Sequence, residues 1–336
     1  MAVIYIKEQG AVVQKVDERI VVTKNRARLL DVPVIKIENL AVIGNVQITT
    51  PALHMLMERG IDVSYLTFGG KYLGSTAAES SKNIFLRFEQ YRFYLDEAKR
   101  LEMAKRITHN KISNQIELLR QHKRKDTEYD WDKDIKEMVR IQASLQSKET
   151  ANEILGIEGM CSNIYFGAFG HMLKCDFSFN GRNRRPPRDP VNVIISLAYT
   201  LLTKEVSNAL DSESFEPYLG FLHGIRYGRK SLSLDIVEEF RQPVVDRLVV
   251  LLFNKRMIGR HDFDEISEDR VVLSEDGFRK FCNEYERWMN GTNSISGESS
   301  FRAVIRKQIA MLKRAIRGDG EYVPYSWRDR NVPGEL

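Results

Sequence analysis

A chain of 336 residues, 43% hydrophobic and 29% charged, is long enough for two domains and a sizeable core, which excludes a disordered or fibrous protein. A formal net charge of +5 is compatible with a polyanionic partner without requiring one, so where the charge sits matters more than its sum. The three cysteines, Cys161, Cys175 and Cys282, are widely spaced and build neither a disulfide framework nor a zinc site. The N-terminus M-A-V-I-Y-I-K-E has no basic leader, and the apolar run 248–253 is far below the ~18 residues of a membrane span. These features read as a cytoplasmic protein with no membrane segment.

Residues 2–75 are β-rich. Short β-branched runs at 3–6, 20–23, 34–37 and 40–43 are separated by Gly, Asp, Asn and Pro. Thr50-Pro51 starts a helix that reaches Arg59 and stops at Gly60. A strand follows at 61–66, and Gly69-Gly70 turns the chain into 71–73. One helix among many short strands predicts an α+β region with no βαβ repeat. It has no catalytic constellation, so folding and subunit contact are its expected roles. The small polar stretch G-S-T-A-A-E-S-S-K at 74–82 marks a boundary. The expected fold class is α+β: a small β-rich N-terminal domain over 1–76, a linker over 77–83, and a larger, mainly α-helical domain over 84–336.

Residues 84–121 contain no Pro or Gly and place Phe85, Phe88, Tyr91, Leu95, Ala98 and Leu101 at helical spacing. This predicts one long helix or two joined ones. Its polar face carries Lys99, Arg100, Lys105, Arg106 and Lys111, as a solvated face or as a phosphate-binding surface. Further helices are expected over 132–147 and 160–174, with N-E-I-L-G-I-E-G (152–159) leading into the second. Next comes F-N-G-R-N-R-R-P-P-R-D-P at 179–190, where Arg182, Arg184, Arg185 and Arg188 sit in a Pro-rich loop. Arg forks bind phosphate bidentately, so this loop is a candidate nucleic-acid contact. Asp189 caps and Pro190 opens a buried helix over 191–210, with Asn192 an unusual polar choice in its first turn. A helix over 235–255 should kink at Pro243. Helices at 278–289 and 301–317 follow, the second with Arg302, Arg306, Lys307, Lys313, Arg314 and Arg317 on its exposed face. The tail from 321 onward has no periodicity.

The stretch G-F-L-H-G-I-R-Y-G-R-K-S-L-S-L-D-I-V-E-E-F-R (220–241) concentrates the chemistry. His223 follows an apolar turn. Asp235 and Glu238 stand at i, i+3 and share a helix face, while Glu239 points about 100° away. Imidazole with carboxylates suits Mn²⁺ or Mg²⁺ better than structural zinc. The same residues also fit a plain structural role: first-turn acids favour the helix dipole by ~0.3–1 kcal/mol each, and His223 can be a core histidine. Glu158, between Gly156 and Gly159, adds a half-buried carboxylate in need of a partner.

The ordered set I-E-G (157–159), Y-F (165–166), R-N-R-R-P-P-R-D-P-V-N (182–192), G-F-L-H (220–223) and L-D-I-V-E-E-F-R (234–241) resembles the Cas1 family of CRISPR integrases. The tail Y-V-P-Y-S-W (322–327) resembles Cas1 proteins of compact type I systems, and the likeness covers essentially the whole chain. The resemblance implies Mn²⁺ or Mg²⁺ held by Glu158, His223 and Glu238. The last position is often Asp in the family, so Glu238 is a mild departure. Asp235 matches a supporting or alternate ligand. The resemblance further implies a homodimer formed through the β-rich domain, and assembly with a Cas2 homodimer in a Cas1–Cas2 complex. Double-stranded DNA is the implied substrate: the 3′ ends of a short spacer are joined to the CRISPR repeat. In that picture Arg182, Arg184, Arg185 and Arg188 hold the DNA backbone, and Arg229, Lys230 and Arg241 lie near the scissile phosphates. The competing readings are a stand-alone metal-dependent nuclease on branched DNA and a non-catalytic nucleic-acid-binding protein.

Overall fold

Two small sheets carry the N-terminal residues in a computed structural model of the chain, which describes residues 2–76, 83–124, 128–183, 186–267, 270–291 and 300–326. The strands are β1 (Ala2–Ile6), β2 (Val12–Val16), β3 (Arg19–Lys24), β4 (Ala27–Pro33), β5 (Ile37–Ile43), β6 (Gln47–Ile48), β7 (Asp62–Leu66) and β8 (Tyr72–Thr76), with helix α1 (Thr50–Glu58) before β7. One sheet has the order β1-β5-β7-β8 and the other β4-β3-β2-β6. β1, β5 and β7 are parallel, and β8 closes the edge antiparallel to β7. Between β5 and β7 the chain passes through α1, so it contains one parallel crossover of the βαβ kind that the strand spacing did not announce. The burial of β5 accounts for it: I-E-N-L-A-V-I is buried at every position but Glu38, as expected of a central parallel strand covered on both faces.

The expected strand at 34–37 is a 3₁₀ turn, Val34–Lys36, because Pro33 (φ −58°) precedes it and ends β4. Strands β2 and β4 were not anticipated. β4 exposes Ala27, Arg28 and Leu29 in succession, so it has no alternation to read. The strand core is Val13, Ile20, Val22, Leu40, Val42, Leu56 and Val63.

The helices are α2 (Ile84–Leu95), α3 (Glu97–Lys123), α4 (Trp131–Ala143), α5 (Ala151–Phe169), α6 (Pro190–Ser212), α7 (Ser231–Val237), α8 (Arg247–Asn254), α9 (Glu275–Asn290) and α10 (Phe301–Arg317). Asp96 separates α2 from α3. It leaves helical geometry (ψ 99°) and its side chain accepts from the Lys99 N–H at 3.1 Å, capping the second helix. α3 is a core helix. Asn110, Lys111, Ser113, Asn114 and Gln115 in its middle are all buried, so the part of the polar face that holds Lys111 turns inward rather than to solvent. α5 begins nine residues ahead of the expected start at 160, at a capping box between Thr150 and Glu153, and Glu158 is therefore a mid-helix residue. Asp189 caps α6 by accepting from the Asn192 N–H at 2.8 Å, with Pro190 first in the helix, as expected. In α10, Arg302 is buried rather than exposed; it forks onto Glu205 and donates to Asn290 Oδ1 at 2.8 Å.

The expected helix over 235–255 is broken into three pieces. α7 ends at Val237, a π-helical turn spans Arg241–Asp246, and α8 follows. Pro243 lacks an N–H and its ring crowds the carbonyl of Glu239, four residues back. Asn114 Nδ2 donates to that freed carbonyl at 3.0 Å.

The chain divides into two compact units: Met1–Ser80 with His261–Asp264 and Val272–Glu286, and Ser81–Arg260 with Glu265–Val271 and Arg287–Leu336. This differs from a single block over 84–336. The returning segments belong with the strands because Lys7 is buried there: its ammonium donates to the Leu273 and Ser274 carbonyls at 3.5 and 3.3 Å and lies over the Phe68 and Phe278 rings. Tyr5 likewise donates to Glu286 at 2.9 Å. A buried amine has to find such partners wherever the chain can supply them. No helix among the described residues is long and apolar enough to cross a membrane.

Candidate metal centre

Three segments of the helical unit converge on one buried cluster of charge. Mid-α5 supplies Glu158, mid-α3 supplies Lys111, and the turn after α7 supplies Glu238. The Lys111 ammonium contacts Glu158 Oε1 and lies 2.6 Å from Glu238 Oε2. Arg241 Nε approaches the same Glu238 oxygen at 2.8 Å, with its guanidinium stacked over Tyr199 at 4.4 Å. Ser162 donates to Glu158 Oε1 at 2.9 Å and is itself reached by Gln115 at 3.3 Å. Burial alone pushes the Glu238 carboxyl up, but the charges of Arg241 and Lys111, with a smaller contribution from the nearby His223, bring it down to about 2. Glu238 is therefore an anion at any physiological pH.

His223 is held by Asp235, and this settles what Asp235 does. Its Oδ2 accepts from the Phe221 and Leu222 N–H groups at 2.5 and 3.0 Å, and its Oδ1 from the His223 N–H at 2.9 Å. His223 Nδ1 faces Oδ1 at 2.7 Å. A carboxylate on Nδ1 selects the tautomer with the proton there and leaves the lone pair on Nε2. Asp235 is thus engaged with the histidine loop through both carboxylate oxygens and positions His223. Gly220 permits the arrangement: a Cβ there would sit 2.7 Å from the Ser231 backbone carbon and 2.8 Å from Asp235 Oδ2. Asp235 lies in the second turn of α7, so the helix dipole does not account for a carboxylate at this position.

Among the described residues no three His, Cys, Asp or Glu side chains stand together as a ready-made metal cage. Glu158 and Glu238 converge, but on an ammonium. The donors nevertheless fit a hard divalent ion: two carboxylates, from α5 and from the turn after α7, meet at one cation position held by the Lys111 ammonium, and a histidine oriented to offer Nε2 is near enough for its charge to act on Glu238.

Glu239, the third acid of the stretch, points into the protein. It accepts from the Tyr322 hydroxyl and from the Tyr325 N–H at 2.8 Å, and Phe240 stacks on Tyr325. The Tyr325 carbonyl accepts from Asn110 and Asn114, the residues flanking Lys111 in α3, at 2.7 and 3.1 Å. The aperiodic tail therefore packs on the chain's own core and ties the Lys111 turn to the Glu238 turn. Burial raises Glu239 to about 7 against the bonds from Tyr322 and Tyr325, which lower it. Behind Arg241, Asp246 accepts from Tyr165 and Tyr199 at 2.7 and 2.6 Å, and burial raises it to about 6.

The arginines anticipated as DNA contacts divide by environment. Arg182 is absorbed by the start of α6, donating to Asn192 Oδ1 at 2.6 Å and Ser196 Oγ at 2.9 Å; this explains the buried Asn192. Arg184 and Arg185 lie outside the described residues, and Arg188 is exposed. Arg229 donates to the Gly224 carbonyl at 2.5 Å and Lys230 to Ser207 at 2.9 Å, bracing the loop between them. The tip of that loop is open, with Ile225 and Tyr227 exposed. Lys111 and Glu239 were not expected at the site, and Asn110 and Asn114 were not anticipated at all. For the three α3 residues the signal was the run H-N-K-I-S-N-Q, too polar on all sides for the middle of a helix that carries a regular apolar face.

The family model described as CRISPR associated protein Cas1 matches residues 4–287. The chain belongs to the Cas1 family. It is 34% identical over 334 residues to a CRISPR-associated endonuclease Cas1 of Thermus thermophilus, covering 98% of each chain. It is 31% identical to a CRISPR-associated endonuclease Cas1 of Chlorobaculum tepidum, covering 97% of this chain and 98% of the other. Among solved structures, a Cas1 protein of Thermotoga maritima superposes with a TM-score of 0.84 at 26% identity, covering 95% of this chain and 98% of that one. A casposase bound to an integration product shares the fold, with a TM-score of 0.84 at 23% identity over 99% of this chain and 96% of that one.

Asp235→Asn turns an acceptor into a donor against backbone N–H groups, and should cost ~1–3 kcal/mol in chemical denaturation; unchanged stability would contradict the anchoring role. Glu239 is a raised acid, so its stabilising contribution is complete below about 4.5 and is lost as pH rises through about 7. Glu239→Gln should remove that fall, by roughly 1.4 kcal/mol per pH unit inside the window. Parallel stability–pH curves for the two proteins would show that Glu239 is not responsible.

Proposed function

We propose that this Cas1-family chain is a metal-dependent DNA integrase of CRISPR adaptation, with Glu158, His223 and Glu238 holding one Mn²⁺ or Mg²⁺. The observation that carries the reading is the convergence of two carboxylates, from α5 and from the turn after α7, on one cation position, with an oriented histidine close enough for its charge to act on Glu238. The endonuclease names of relatives that cover 98% of the chain support phosphodiester chemistry.

In the proposed reaction a spacer 3′-hydroxyl oxygen attacks a repeat phosphorus. The attacking hydroxyl gives up its proton to solvent as the new P–O bond forms, the repeat's P–O3′ bond breaks, and the departing 3′ oxygen takes up a proton. The bound metal supplies Lewis-acid stabilisation of the phosphate's charge. Asp235 keeps the His223 ring in the ligand tautomer. Glu238 stays anionic, and Arg241 remains beside it as a fixed counter-charge. The exposed Tyr227 at the tip of a loop that also carries Arg226 offers an aromatic face and a cation to DNA, and Arg188 adds an exposed guanidinium. Solved neighbours include a complex of Cas1 with Cas2, and another Cas1 with DNA. A Cas2 dimer, duplex DNA and a second copy of this chain are accordingly the proposed partners.

Glu158→Ala, His223→Ala and Glu238→Ala should each reduce Mn²⁺-dependent strand transfer into repeat DNA to background, with an unchanged circular dichroism spectrum. Full activity in His223→Ala would overturn the assignment. Running the assay with and without Cas2 separates integration from hydrolysis of branched DNA. Replacing Arg184, Arg185 and Arg188 with Ala should weaken binding alike across DNA sequences and lower the salt slope by about one per lost phosphate contact. A loss confined to one sequence would contradict backbone contact.

A further inference from the structure

We infer that Lys111 is the site's resident cation, holding the metal's place between Glu158 and Glu238 and leaving it when a divalent ion loads. The inference rests on reading the site as a metal centre, and adds to it a residue that sets how tightly the metal is held.

Lys111 sits at the centre of a buried helix, with 7% of its side chain exposed. Its ammonium touches Glu158 Oε1 and lies 2.6 Å from Glu238 Oε2, so one nitrogen bridges the two acids. Four charges meet here: Glu158 and Glu238 negative, Lys111 and Arg241 positive. They cancel without any metal. Adding a divalent ion while Lys111 stayed in place would leave two uncompensated positive charges in a buried cluster, which is prohibitively costly. One cation has to go.

The two candidates for displacement are not equivalent. Arg241 is fixed, its planar guanidinium stacked over Tyr199, paired with Glu238 and also in the field of Asp246. Lys111 carries its charge on a flexible four-carbon stem and bridges both acids. Ion exchange therefore runs through Lys111, which keeps the two carboxylates together when no metal is bound and opposes the metal's entry. The released ammonium remains beside the centre as a positive charge suited to a phosphodiester.

The test is Mn²⁺ affinity measured without DNA. Wild type, Lys111→Met, Lys111→Arg and Glu158→Gln, stripped with EDTA, are titrated with Mn²⁺ while free Mn²⁺ is read by electron paramagnetic resonance. Lys111→Met should bind at least about tenfold tighter than wild type, because the displaced charge pair is gone. Lys111→Arg should stay near wild type, and Glu158→Gln should lose binding. Mn²⁺ should also raise the melting temperature of Lys111→Met more than that of wild type. Wild-type binding with equal or weaker binding by Lys111→Met would overturn this inference alone. Absence of Mn²⁺ binding in both would overturn the metal reading and this inference with it. Should Lys111→Met not fold, Lys111→Gln carries the same comparison.

Discussion

The helical unit is organised around a single requirement: two carboxylates buried within reach of one another need positive charge. Glu158 and Glu238 come from segments eighty residues apart, and neither is tolerable in that position alone. Lys111 and Arg241 meet the requirement from two further points in the chain. Much of the polar structure nearby serves to hold these four groups in register. Ser162 and Gln115 fix Glu158, Tyr199 fixes Arg241, and the Asn110–Tyr325–Asn114 bonds fix the helix turn that carries Lys111.

Three acids within five residues, Asp235, Glu238 and Glu239, do three different jobs. The break in the helix makes this possible. Were α7 continuous through Pro243, Asp235 and Glu238 would share a face and Glu239 would point to one side. The turn at 238–240 instead sends Asp235 back to the histidine loop, Glu238 into the ion cluster and Glu239 toward the tail. Environment then separates their charge states. Glu238, beside two cations, is pulled down to about 2, whereas Glu239, equally buried but met only by neutral donors, rises to about 7.

The tail shows how a segment without periodicity can matter to a site it never enters. Tyr322 and Tyr325 are buried, and their bonds join the backs of the two elements that carry Lys111 and Glu238. Membership of the Cas1 family and the matching Thermotoga fold make sense of this economy, since the whole constellation lies within one helical unit.

The amino-acid sequence by itself determined the α+β class, the strands with clear β-branched runs and the Asp189-Pro190 helix start, and it singled out Glu158, His223 and Glu238 as candidates. Each rests on local chemistry: alternation, a cap, or a rare residue type in an apolar setting. It also carried an unread cue to α5, the Thr150–Glu153 capping box. Tertiary structure alone decided the rest. Whether Lys111 faces water or two carboxylates depends on α5 and the α7 turn, 47 and 127 residues away (158 − 111 and 238 − 111). That Asp235 anchors the histidine loop depends on where Gly220 lets that loop pass. The return of 272–286 to the strands depends on a buried Lys7 at the far end of the chain. Pair interactions across such separations leave no trace in spacing or composition, because a charge's partner is set by proximity in space and not along the chain.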